Sequence, residues 1–268
     1  MALPAPADDR AAVVTGASSG IGEEIARELV RRGHHVVLVA RSADRLAALA
    51  GELGVRAHPL AADLSRQGDR AALPDRVAEL GMVADILVNN AGLSTLGPVA
   101  KSRPERELNL VEVDVAAVVE LCSRFLPAMV DRRRGAVLNV ASVAGFGPLP
   151  GQAAYGAAKA FVVSYTESLR GELRGTGVTA TALCPGPVDT PFNAVAGFGK
   201  GEAEALLPSV MWKSAAEVAQ AGVNGLAAGK AVVVPGRLNR VAAAFYRVAP
   251  HELLLPLLAR HHPGMKRG

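Results

Sequence analysis

Tyr155 and Lys159 stand four residues apart, a spacing that puts both on one face of a helix. A free phenol has a pKa of about 10, too high for base catalysis near neutral pH, and a neighbouring ammonium favours the phenolate. Ser142, upstream of the pair, offers a hydroxyl that can hold a carbonyl oxygen beside the phenol. The three side chains together suit proton transfer to a carbonyl oxygen as it becomes an alcohol, or from an alcohol in reverse. A Tyr–Lys pair alone would be a chance pair in most helices; the combination is the signal.

A second group of residues suits a phosphate-bearing ligand. Thr15-Gly16-Ala17-Ser18-Ser19-Gly20-Ile21-Gly22 joins an apolar run to an amphipathic one. Glycines there let the backbone approach a pyrophosphate, and the following helix offers unpaired N–H groups at its positive end. The spacing differs from the common G-x-G-x-x-G fingerprint, and a tight strand–helix connection is the plain alternative. The next apolar run ends Val39-Ala40-Arg41-Ser42, with no acid to accept a ribose hydroxyl. Arg41 can instead pair with the additional phosphate of NADP, or be a solvated arginine at a helix start. Asp63 could accept a hydrogen bond from an adenine amino group or cap the helix that begins near Ser65.

These residues must be positioned by alternating strands and helices. Apolar runs at 11–15, 35–40, 55–60, 86–89, 136–141, 178–183 and 231–234 predict seven strands. Amphipathic stretches at 21–32, 43–53, 71–80, a long one after Pro104, 153–174 and 215–228 predict the helices between them. The pattern predicts an α/β fold: a doubly wound parallel sheet of about seven strands, Rossmann-type, in a single domain. Residues 1–10 are expected to be a flexible N-terminus, 11–236 the binding and catalytic domain, and 237–268 a basic, apolar helical extension of it. Such sheets bind ligands at the carboxyl ends of their strands, where the residues above fall.

Half of the 268 residues are hydrophobic and a fifth charged, enough for a large core. The opening MALPAPADDR lacks a signal-peptide pattern, and no apolar run reaches the ~18–20 residues that span a bilayer. Cys122 and Cys184 have no metal-ligand or redox-motif spacing, so no metal is expected and a cytoplasmic location is. Of 29 basic residues, seven lie from Lys230 onward against the single acid Glu252. A nucleic-acid binder spreads its basic residues over a reading surface, so nucleic acid is not an expected partner.

TGASSGIG at 15–22, NNAG at 89–92, Ser142, YGAAK at 155–159 and PGPVDT at 185–190 resemble, in order and spacing, the short-chain dehydrogenase/reductase family over nearly the whole chain. The Ala-Arg ending of the second strand resembles its NADP-preferring branch. The resemblance implies an NADP(H)-dependent oxidoreductase acting on a carbonyl or secondary alcohol. It implies that Gly16, Ser18, Ile21, Arg41, Asp63, Leu64 and Asn90 bind cofactor, with Ser19, Gly20, Gly22, Ala91 and Gly92 from the same turns. Tyr155 is implied as acid/base, Ser142 as partner of the substrate oxygen, and Lys159 as ribose ligand and modifier of the tyrosine. Pro185, Gly186 and Val188 would line the nicotinamide, with Thr190 near its carboxamide. The family commonly has an asparagine 28 residues before the serine, where this chain has Asp114. Asn109, about 140° around an α-helix from Asp114, is not expected to replace it.

Phe146 and Leu149 after the fifth strand, and Phe192, Val195, Phe198, Leu206, Leu207, Met211 and Trp212 after the sixth, are expected to make an apolar substrate site or simply a packed lid. Leu238, Val241, Phe245 and Val248 recur at helical spacing, and such a face covers the core, a partner subunit or an anionic membrane. Pro256 argues against a continuous helix through 251–260. The resemblance implies a homodimer or homotetramer through helices near 104–131 and 153–174. A non-catalytic NADP-binding regulator of the same fold is the alternative, with Asp114 its one foothold.

Overall fold

Strand β2 (His35–Ala40) reads HVVLVA, with no polar alternation, because both of its faces are covered. Strands β1 (Arg10–Thr15), β4 (Val83–Asn89), β5 (Gly135–Val140) and β6 (Val178–Leu183) are likewise buried along nearly their whole length, although β6 alternates Thr179 and Thr181 with apolar residues. With β3 (Ala57–Ala61) and the short β7 (Val232–Val233) they form one parallel sheet in the order β3-β2-β1-β4-β5-β6-β7. This is a computed structural model, and it describes residues 3–199, 201–202 and 208–266. Because β2 and β3 extend one way from β1 and β4 to β7 the other, a crevice opens at the carboxyl ends of β1 and β4.

Helices α1 (Gly20–Arg31), α2 (Ala43–Leu53) and α8 (Ala215–Ala227) cover one face, packing Ile25, Leu29, Leu46, Val218 and Leu226 against the sheet. The other face is covered by α3 (Gln67–Glu79), α5 (Ala117–Asp131) and α6 (Ala153–Glu172), through Leu73, Leu121, Phe125, Met129 and Val162. Ahead of β1, Leu3 packs against the first of these cores, and the Ala5 carbonyl accepts a hydrogen bond from Arg134.

The long helix after Pro104 is not uniform. It begins as α4 (Pro104–Val111), passes through a π turn at Glu112–Ala116, and continues as α5. Arg70, buried, braces the turn, with Nη1 2.9 Å from Glu112 and Nε 2.7 Å from Glu120. A π turn widens the helix by a residue and is often found at functional sites. Here it carries Asp114.

Beyond β6, α7 (Phe192–Ala196) starts the lid, and beyond β7 come α9 (Arg237–Val248) and α10 (His251–His261). Contrary to expectation α10 runs through Pro256, losing one backbone hydrogen bond there while its far end docks on the body. The apolar stripe of α9 also departs from the core-covering reading, since Leu238, Val241, Phe245 and Val248 are all exposed. Among the described residues no helix is long and apolar enough to cross a membrane.

Candidate active site

The turn from β1 to α1 needs glycine for two reasons. Gly16 and Gly20 take positive φ, +65° and +60°, and a Cβ on Gly16 would stand 2.8 Å from the Asn90 side-chain nitrogen. Asn90 fastens the end of β4 to this turn: its Nδ2 donates to the Thr15 carbonyl at 2.9 Å, and its backbone N–H donates to Thr15 Oγ1. The result is a cleft of about 1280 Å³ at the carboxyl edge of the sheet. Ser18, Ser19, Gly20 and Ile21 line it on one side, and Asn90, Ala91 and Gly92 on another. Gly22 does not line it. That glycine is buried beneath the turn, where a Cβ would lie 2.3 Å from Asn90 Nδ2 and 2.4 Å from the Gly16 carbonyl, so its role is close packing.

At the β2 end, Arg41, Ser42 and Arg45 face the same cleft, with Asp63 and Leu64 opposite. Asp63 Oδ1 accepts from the backbone N–H and hydroxyl of Ser65, which makes a turn ahead of α3 and leaves the residue on the cleft wall. Burial acts to raise its carboxyl, but the Ser65 bonds and the Arg41 charge outweigh that and hold it below its ordinary value. Neither Arg41 nor Arg45 makes an ion pair among the described residues. Arg45 was not picked out from the sequence, although its place one helical turn after Arg41 is a usable signal.

The other end of the cleft gathers Ser142, Tyr155 and Lys159. The Ser142 Oγ accepts from the Ala144 N–H at 3.1 Å, which fixes its rotamer at the end of β5. Lys159 Nζ lies 5.7 Å from the centroid of the Tyr155 ring and donates to the Val140 carbonyl at 3.2 Å. Beneath them, Asp114 Oδ2 stands 3.0 Å from Lys159 Nζ, and Oδ1 accepts from the Leu93 N–H at 2.6 Å. Burial disfavours the charge on Lys159, but Asp114 and Tyr155 outweigh it and raise its pKa.

The tyrosine departs from the expectation that a neighbouring ammonium would lower its pKa. Although part of the side chain faces the open cleft, burial of the phenol raises its pKa, against the pull of Lys159 and of the Ser142 hydroxyl, and Asp114 pushes it further up. Burial likewise raises the Asp114 carboxyl, against Lys159 and the Leu93 N–H. Asn109 lines the cleft, since the π turn reduces its angular offset from Asp114 below that of a regular helix.

Pro185, Gly186, Val188 and Thr190 line the middle of the cleft. Gly186 sits over Asn239 so closely that a Cβ would meet that amide at 2.5 Å. Leu149, Phe192, Val195, Phe198, Met211 and Trp212 line the mouth, with the Phe192 ring centroid 6.0 Å from that of Tyr155. Leu206 and Leu207 lie outside the described residues. Phe146 does not reach the cleft. It is buried in the core beneath the loop, with the Arg247 guanidinium 4.4 Å above its ring.

Two residues that fasten the cleft's surroundings carried no sequence signal. Asn239, buried on α9, donates to the carbonyls of Met211 and Pro235 at 3.0 Å each and so ties the helix to the lid. His262 returns from the tail to line the cleft, with Nε2 3.2 Å from Gln152 Oε1, while Gln152 Nε2 donates to Ser94 Oγ at 2.7 Å. His262 Nδ1 accepts from the Gly264 N–H, which leaves Nε2 as the donor to Gln152.

The residues fit a dinucleotide phosphate. The glycine cradle at Gly16 leaves no room for a side chain, the start of α1 supplies free N–H donors, and two unpaired guanidiniums stand where the second strand ends.

The model of the short chain dehydrogenase family matches residues 10–198. An uncharacterized oxidoreductase of Staphylococcus epidermidis is 36% identical over 207 residues, covering 76% of this chain and 90% of that one. An NADP-dependent 3-hydroxy acid dehydrogenase of Salmonella typhi is 40% identical over 188 residues, covering 68% and 75%. Among solved structures, a short-chain dehydrogenase from Sphingobium yanoikuyae in complex with NADPH superposes with a TM-score of 0.78 at 34% identity, covering 88% of this chain and 92% of that one. With its fold and most of its length in common with these proteins, the chain belongs to the short chain dehydrogenase family.

Proposed function

We propose that the protein uses NADP(H) to interconvert a lipophilic ketone or aldehyde and its alcohol, with Tyr155 as acid and base. The observation that carries this reading is the convergence of Ser142, Tyr155 and Lys159 on the same cleft as the glycine turn and Arg41. NADP(H) supplies or accepts the hydride. Arg41 and Arg45 hold its additional phosphate through charge-assisted hydrogen bonds. Ser142 orients the substrate oxygen, and the Tyr155 hydroxyl donates the proton that completes the alcohol. A phenol held above its ordinary pKa stays protonated, the form that donates a proton in reduction.

The substrate class follows from the mouth. Leu149, Phe192, Phe198, Met211, Tyr246 and Leu258 are apolar or aromatic. Arg41 and Arg45 lie at the cofactor end, and Lys159 is taken by Asp114. An anionic substrate such as a 3-hydroxy acid would therefore find no free cation beside Tyr155 among the described residues. Exposed Leu108, Val111 and Phe161 on α4 and α6 support a homodimer or homotetramer through those helices.

A carbonyl panel assayed by loss of NADPH absorbance tests the reading. It should include long-chain aldehydes, steroids, acyl thioesters and a 3-oxo acid. Turnover is expected with members of the lipophilic set and is expected to be poor with the acid. No turnover across the panel, or preference for the acid, would overturn it.

A further inference from the structure

Helix α9 has two unlike faces. Asn239, Ala242, Ala243 and Tyr246 turn inward, the last three onto the cleft wall. Leu238, Val241, Phe245 and Val248 turn outward and are 49, 67, 55 and 80% exposed. At about 100° per residue these four fall in a stripe roughly 80° wide. An amphipathic helix on a protein surface normally buries such a stripe, and a contiguous exposed one marks an interaction site.

The stripe continues into the cleft's surroundings. Val210 is exposed on the lid segment that Asn239 holds against α9, and Val195, also exposed, lines the cleft itself. On the side of the stripe away from the cleft stand Arg237 and Arg240, both exposed and neither in an ion pair among the described residues. Arg247 is engaged with Glu167 at 3.8 Å and with Phe146, and Glu252 is the only acid in the chain after Lys230. The face is thus apolar with a basic border. A two-fold related copy docked through the same patch would add a second basic border and bring no acid from α9 to meet it, so like charges would oppose the contact. An anionic lipid surface satisfies both parts, the stripe entering the interface and the guanidiniums meeting phosphates.

We propose that α9 docks the protein on an anionic lipid surface through Leu238, Val241, Phe245, Val248, Arg237 and Arg240, so that the cleft opens beside the membrane. The inference rests on this face alone and stands whichever carbonyl compound the enzyme reduces.

Flotation of the full chain with vesicles of phosphatidylcholine plus phosphatidylglycerol, and with phosphatidylcholine alone, tests it. Binding is expected to the anionic vesicles and to weaken as salt rises. Val241→Glu/Val248→Glu and Arg237→Gln/Arg240→Gln are each expected to lower that binding by at least about tenfold, the second in the manner of two cations lost from an anionic surface. None of the four residues lines the cleft, so turnover of a water-soluble aldehyde is expected to be unchanged and reports that the variants are folded. Failure of the parent to bind anionic vesicles, or binding that neither variant weakens, would overturn the proposal. So would a parent that ignores vesicles but has a larger mass by light scattering than the glutamate variant, which would make the face a subunit contact.

Discussion

Asp114 Oδ2 lies 3.0 Å from Lys159 Nζ, and the two side chains are 0% and 6% exposed. The carboxylate meets the ammonium as an ion pair rather than a well-aligned hydrogen bond, and its other oxygen is held by the Leu93 N–H. The π turn braced by Arg70 sets this contact, because it places Asp114 under the cleft rather than on its wall. An asparagine there would offer Lys159 a neutral amide. The aspartate instead places a carboxylate against Lys159, the ammonium next to Tyr155.

Asp114 raises both the Lys159 and the Tyr155 pKa, so removing its charge should lower both. The limb of alcohol oxidation that depends on the Tyr155 phenolate should therefore move to lower pH in Asp114→Asn. A full pH profile of kcat/KM for both proteins at saturating NADP+ checks this. Superimposable profiles, or a shift to higher pH, would mean that the carboxylate does not act on the tyrosine. The variant also leaves a buried lysine without its countercharge, a change that typically costs 3–5 kcal/mol, so a lower Tm is expected as well.

Cofactor choice should reside in the two arginines of the β2 end. Arg41→Ala is expected to weaken NADPH binding by about 1.5–3 kcal/mol, the usual worth of a hydrogen bond to a charged group, and to leave NADH nearly unaffected. Arg45→Ala should act in the same direction. Dissociation constants for both cofactors at one ionic strength decide the matter, and equal losses for the two would show that neither side chain reads the additional phosphate.

The tail should matter for substrate rather than cofactor. Truncation after Val248 removes Leu258 and His262 from the cleft wall and should raise KM for bulky ketones with an unchanged Kd for NADPH. Burial lowers the His262 pKa below its ordinary 6.5. With the folded value below the unfolded one, the docked tail is stabilised at pH above about 6.5 and loses that stability as pH falls through the folded value. The exchange protection factor of the Gly264 amide, which bonds His262 Nδ1, should fall on acidification; protection that rises instead would contradict the assignment.

Much of this was legible in the sequence because it is local or periodic. The seven strands follow from short apolar runs between helical stretches, and Ser142, Tyr155 and Lys159 follow from type and spacing. What escaped was set by contacts between distant parts of the chain. His262 meets Gln152 across more than a hundred residues, and no spacing encodes that. Phe146 and Leu149 are three residues apart in one loop, yet one is core and the other cleft, because a loop has no period from which a facing direction can be read. The periodicity of α9 showed that an apolar stripe exists but not that it faces outward. The π turn has no glycine or proline to announce it, so Asn109 seemed to be out of phase with the site.

The most direct measurement is Tyr155→Phe, which removes the proton-donating oxygen and keeps the ring that packs beside Phe192. With one lipophilic ketone and saturating NADPH, turnover should fall by about 10²–10⁴-fold, the range of general acid–base catalysis, while the Kd for NADPH stays within a factor of about two. Turnover within about tenfold of the parent would contradict Tyr155 as the acid that completes the alcohol.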